Sequence, residues 1–128
     1  MASPFIVIAT CKVKDGKLAD EKKRAPRSAQ YAHDHEPRTI GFHEFGHADG
    51  TEVDFIQFHP DIESFEHHMT VHDPSYQDFL GETSSVRVYG QPTEAIMDLF
   101  TKLGGPNVKI TVIPEHLGGF TRGPEGDS

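Results

Sequence analysis

The chain has 128 residues, with 20 acidic against 12 basic side chains, a formal charge of −8, and one cysteine, Cys11. The acidic balance argues against nucleic acid or an anionic membrane as a partner. A lone cysteine excludes an internal disulfide, which fits a cytoplasmic setting. No apolar run approaches the roughly 20 residues of a membrane-spanning helix, and Met1–Pro4 sets no basic region ahead of the first apolar run, so neither a membrane anchor nor a secretory signal is expected.

Phe5 to Val13 is β-branched and apolar and reads as a buried first strand, with Cys11 as a small buried hydrophobe rather than a nucleophile. Asp15-Gly16 marks a turn. From Lys17 to about Glu36 the chain reads as a helix, with Leu18, Ala25, Ala29 and Ala32 on one face; Pro26 predicts a kink or the true start. Pro37 ends it. Thr39–His47 is the second strand, Ala48–Thr51 a hairpin turn with Asp49-Gly50 at its centre, and Glu52–His59 the third strand.

Pro60-Asp61 opens a second helix. Ile62, Phe65, Met69, His72 and Tyr76 follow a three-four rhythm there, His68 flanks that face, and Pro74 interrupts it. Ser84–Gln91 reads as a fourth strand. Thr93 caps a third helix striped by Ile96, Leu99, Phe100 and Leu103, and Gly104-Gly105-Pro106 stops it. Asn107–Pro114 is the last strand. Residues 1–116 read as a single domain, and 117–128, rich in Gly and Pro, as a loose tail.

The resulting order, β-α-β-β-α-β-α-β, is α+β: a ferredoxin-like βαββαβ unit with an antiparallel sheet, extended by a C-terminal helix and strand. Such a unit covers one sheet face with helices. Yet Ile6 and Ile8 alternate with Phe5, Val7 and Ala9, and Ile56 and Phe58 with Val53 and Phe55, so both faces are apolar. A second copy of the chain is the simplest cover, giving a homodimer.

Glu36-Pro37-Arg38-Thr39-Ile40-Gly41-Phe42-His43-Glu44-Phe45 resembles the stretch entering the second strand of antibiotic biosynthesis monooxygenase-like proteins. Phe65-Glu66-His67-His68 is similar to that family's second helix, where a histidine follows a hydrophobic residue by three places. His72 to Phe79 looks like its Ser-Pro-aromatic continuation. The resemblance covers roughly residues 5 to 91. It departs where Arg38 replaces a glycine, in a longer spacing from His68 to Pro74, and in the lack of any tryptophan, which speaks against the haem-degrading branch. The resemblance implies a dimeric α/β barrel enclosing a cavity, with Asn107–Pro114 as a candidate exchanged strand. It also implies monooxygenation of a small aromatic, quinol or polyketide-type ligand without a cofactor.

Eight of the nine histidines lie between His33 and His72. A cofactor-free oxygenase must take a proton from a phenol or an activated CH group, and histidine titrates in the right range. His68, at the position the resemblance marks and beside the apolar stripe, is the expected base, with His72 one turn on to orient or replace it. Phe42, Phe45, Phe55, Phe58 and Tyr89 are candidate substrate walls, and Arg87 with Tyr89 candidate contacts to a substrate oxygen.

Two other readings stand beside this one. A non-catalytic ligand-binding or stress-response module on the same fold would bind without turnover. Alternatively, His68 and His72, four apart, would hold a metal, completed by Asp73 or by His43, His47 or His59. His33 and His35 suit the end of the first helix, and His67 and His116 read as solvated.

Overall fold

The structure is a computed structural model that describes residues 3–122. A five-stranded sheet is ordered β2-β3-β1-β4-β5. Its strands are β1 (Phe5–Val13), β2 (Gly41–Gly46), β3 (Glu52–His59), β4 (Leu80–Tyr89) and β5 (Lys109–Ile113). The helices are α1 (Leu18–His35), α2 (Ile62–Val71) and α3 (Glu94–Gly104). The first four strands pair antiparallel, with Val7 opposite Gln57 and Val88, and Phe42 also opposite Gln57. This is the ferredoxin-like βαββαβ arrangement with an added helix and strand.

Three features differ from the sequence reading. The sheet is not antiparallel throughout: β5 pairs parallel with β4, Val88 opposite Val112, because α3 carries the chain back before β5 begins. β4 starts at Leu80 rather than Ser84. Its first residues pair with β1 across shifts in register, where Cys11 faces Thr83 and Val13 faces Leu80. Finally, of the kink or start expected at Pro26, the start is excluded, because α1 runs through it from Leu18. Glu21 and Arg24 are buried before the proline and Ser28 and Ala32 after it, so packing of both halves outweighs a cost of about 3 kcal/mol.

Asp61 caps α2 by accepting from the Ser64 N–H at 3.0 Å. The helix ends at Val71, because Asp73 precedes Pro74 and so avoids helical backbone. His72 is therefore the residue just past the helix, and Pro74–Asp78 form a separate 3-10 turn. Residues 114–122 form neither helix nor strand. The rest of the expected tail, 123–128, lies outside the described residues.

One sheet face packs under the helices. Phe5, Val7, Val86 and Val88 meet Phe65 of α2 and Ile96 and Phe100 of α3. Phe65 is the centre of this core, its ring 5.4 Å from Phe5 and 5.7 Å from Phe100. A second cluster joins Cys11, Val53, Phe55 and Leu80 with Phe42 and Tyr76. The other face holds Ile6, Ile8 and Ile56 half-buried and Phe45 and Phe58 exposed. Among the described residues no helix is long and apolar enough to cross a membrane.

Candidate acid–base site under the helices

A cavity of about 110 Å³ lies between the inner sheet face and the helices. Its sheet wall includes Cys11, Phe55, Gln57 and Thr83. Arg24, Tyr31 and Ala32 of α1, His68 and Met69 of α2, and then His72, Asp73 and Tyr76 close it.

His68 is buried, and its Nδ1 lies 2.8 Å from both carboxylate oxygens of Glu36. Glu36, also buried, sits where α1 ends, and accepts a second hydrogen bond from Thr39 Oγ1 at 2.8 Å. Burial pushes its carboxyl upward, but the hydrogen bond from His68, the charge of that ring and Thr39 outweigh this, so Glu36 lies below the usual glutamate range. An ionised Glu36 makes Nδ1 the donor. In the neutral form of the ring Nε2 is then the lone-pair nitrogen, and it has no protein hydrogen bond among the described residues. Phe42, Phe65 and His72 surround the ring, with centroids 6.1, 5.9 and 5.8 Å away.

Behind this pair, His59 is wholly buried and fully engaged. Ser64 Oγ donates to Nδ1 at 2.8 Å, and Nε2–H reaches Gln57 Oε1 at 3.0 Å. Burial, then the neighbouring charge of His68, lowers it to about 4, so it stays neutral and holds α2 to β3.

A second buried polar group lies at the α1 side of the cavity. Arg24 Nε and Nη2 donate to Glu21 Oε1 and Oε2, both at 2.7 Å, in a bidentate pair. Glu44 of β2 approaches Arg24 Nη2 at 3.8 Å. Burial first, then contact with Glu21 and its charge, holds Glu44 up at about 9 against the pull of Arg24, so it is a neutral acid near pH 7.

The expected site residues divide between the two faces of the sheet. His68, His72, Phe42 and Phe55 line the cavity. Phe45, Phe58, Arg87 and Tyr89 do not: Phe58 and Tyr89 pair with Ile6, Arg87 with Ile8, and Phe45 with Asp54, all on the opposite face. The period of two carries them there. Nor do the histidines assemble as metal ligands. Among the described residues no group of three His, Cys, Asp or Glu is placed to hold an ion. His68 commits Nδ1 to Glu36, His59 commits both nitrogens, and His43 lies opposite Ile56 on the other face. Cys11 is buried, and that burial raises its thiol.

Glu36, Arg24, Glu21 and Glu44 were not expected as site residues. Glu44 carried one signal: it lies two places from Phe42, so a carboxyl falls on the apolar face of its strand.

No protein-family model matches the chain, and no curated protein matches it. Solved structures do. MupZ from Pseudomonas fluorescens superposes with a TM-score of 0.63 at 14% identity, covering 94% of this chain and 95% of that one. Rv0793 from Mycobacterium tuberculosis gives 0.54 at 18% identity, over 73% of this chain and 99% of that one. A Bacteroides thetaiotaomicron protein described as a candidate antibiotic biosynthesis monooxygenase gives 0.52 at 9% identity, over 63% and 83%. The chain thus shares the ferredoxin-like fold of these three structures, one of which is described as a candidate antibiotic biosynthesis monooxygenase.

Proposed function

We propose that the chain is a cofactor-independent monooxygenase of a small aromatic or quinol-type substrate, with His68 as its base. The observation that carries this reading is the His68–Glu36 pair facing an apolar cavity, with Nε2 free. Glu36 fixes the ring and its tautomer and stabilises the imidazolium that forms when His68 takes a proton. The substrate anion, sheltered by Phe42, Phe55 and Tyr76, then gives electrons to O₂. One oxygen atom ends in the product, and the other leaves as water with the substrate's hydrogens. His72, with its ring beside both His68 and Tyr76, assists in passing the proton out.

The cavity limits substrate size. At about 110 Å³ it is of the same order as the roughly 150 Å³ cavity known to take a benzene ring, so it has room for one ring. A one-ring quinol, or the end of a longer polyketide, suits it better than a fused tricycle. The open sheet face supports the expectation of a homodimer, and the lone buried cysteine suits the cytoplasm.

Oxygen-electrode assays across hydroquinones, naphthalenediols and anthrones test this reading. One O₂ consumed per substrate oxidised, abolished in His68→Ala, is the expected result. Saturable binding with no O₂ uptake across the panel would instead identify a ligand-binding module.

A further inference from the structure

Arg24 has a donor that the fold does not use. Its side chain is 6% exposed, and two of its nitrogens are locked onto Glu21. The third, Nη1, is buried and has no hydrogen-bond partner among the described residues. Asp73 Oδ2 stands 3.9 Å from it, beyond hydrogen-bond range. Buried donors on charged groups are nearly always paired in folded proteins. Arg24 and Asp73 both line the cavity that His68 lines, so the side chain carrying the unused N–H borders the place a ligand would occupy.

The surrounding charge decides which ligand. Among the described residues Arg24 is the one Lys or Arg side chain lining the cavity and is already faced by Glu21 and Asp73, while the cavity histidine His68 is paired with Glu36. Asp73 is held in its ionised form: burial raises it, but hydrogen bonds from Ser75 and the charge of Arg24 prevail. Glu36 adds another carboxylate to the cavity wall. An anionic ligand would meet the carboxylates of Asp73 and Glu36, beside a guanidinium already neutralised by Glu21. A neutral ligand with a carbonyl, quinone or phenol oxygen would accept from Nη1 with no such repulsion.

We propose that Arg24 Nη1 is the oxygen anchor of the cavity and selects neutral, carbonyl- or phenol-bearing molecules over carboxylates. This rests on the reading of the cavity as a small-molecule site, and it places the substrate's oxygen at α1 and its reactive hydrogen at His68. Arg24 is thus a binding residue, and Glu21 positions it.

Three ring-sized probes test the anchor without requiring turnover: cyclohexanone, methylcyclohexane and cyclohexanecarboxylate, titrated into the full chain by NMR. Cyclohexanone is expected to bind about tenfold or more tightly than methylcyclohexane, as one hydrogen bond from a charged donor predicts, and the carboxylate most weakly. In the double variant Glu21→Gln/Arg24→Met, which removes both charges and the donor together, the ketone-to-hydrocarbon ratio should fall to near one. An unchanged ratio in the folded double variant, or tightest binding of the carboxylate to the wild type, overturns the anchor. Should the double variant not fold, the Arg24 side-chain ¹⁵N signals of the wild type decide: cyclohexanone must shift them, and no shift overturns the proposal. Failure of all three probes to bind overturns the small-molecule reading and the anchor together. A retained ketone preference without O₂ uptake supports the anchor and removes only the oxygenase reading.

Discussion

His68 Nδ1 meets both carboxylate oxygens of Glu36 at 2.8 Å, although the two residues are 32 apart in the chain. The contact ties the end of α1 to α2 and fixes which ring nitrogen faces the cavity. Replacing Glu36 by Gln keeps the volume but removes the charge that selects the Nδ1–H tautomer. Glu36→Gln should lower kcat on the order of a hundredfold with a smaller change in KM. A variant with wild-type kcat would show that the contact is structural only.

The buried His59 makes the fold acid-sensitive. Its folded value, about 4, lies below the roughly 6.5 of a free histidine, so the unfolded chain takes the proton first as pH falls. The stability it supports is intact above pH 6.5 and declines towards pH 4, by about 3 kcal/mol. Glu36, lowered in the fold, adds a further loss below its unfolded value of about 4.5. Urea titrations at pH 7 and pH 4.5 in a Glu44→Gln background, which removes the opposite contribution of Glu44, should show this fall, and His59→Gln added to that background should flatten its upper part. Equal midpoints at both pH values would contradict the assignment.

Glu44 works in the opposite direction. Its folded value of about 9 lies above the unfolded 4.5, so the folded chain holds a proton that the unfolded chain has released. Stability from this group is present below about pH 4.5 and is lost as pH rises through 9. Glu44→Gln keeps a neutral group there, and should be more stable than wild type by about 1–2 kcal/mol at pH 8. Loss of stability at pH 8 would mean that the carboxylate form is needed.

The open sheet face carries the dimer expectation. Ile8 lies on it between Ile56 and Arg87, half-buried in the isolated chain. Ile8→Asp should leave the fold intact and convert a dimer to a monomer in sedimentation equilibrium at micromolar concentration. A wild-type monomer at that concentration would remove the homodimer.

The strand alternation and the hairpin at Asp49-Gly50 made most of the sheet legible, because period-two burial and turn chemistry are local properties. The parallel β4–β5 pair was not, since strand direction depends on where α3 packs. His68 was visible through its likeness to a known helix, yet its partner was not: Glu36 looked like the polar end of a helix, and only the fold brings it to His68. Glu21 and Arg24 have the spacing of an ordinary surface ion pair, and their burial comes from the sheet beneath α1. Phe45, Phe58, Arg87 and Tyr89 were assigned to the cavity because it was expected between two protomers, whereas the cavity lies on the helix-covered face.

The proposed chemistry turns on His68 acting as the base. It is tested most directly by kcat/KM for O₂ consumption with the best hydroquinone substrate, measured for wild type, His68→Ala and His72→Ala. A loss of about a hundredfold or more is expected in His68→Ala, in line with a general base, and a smaller loss in His72→Ala. Equal rates for His68→Ala and wild type would contradict it.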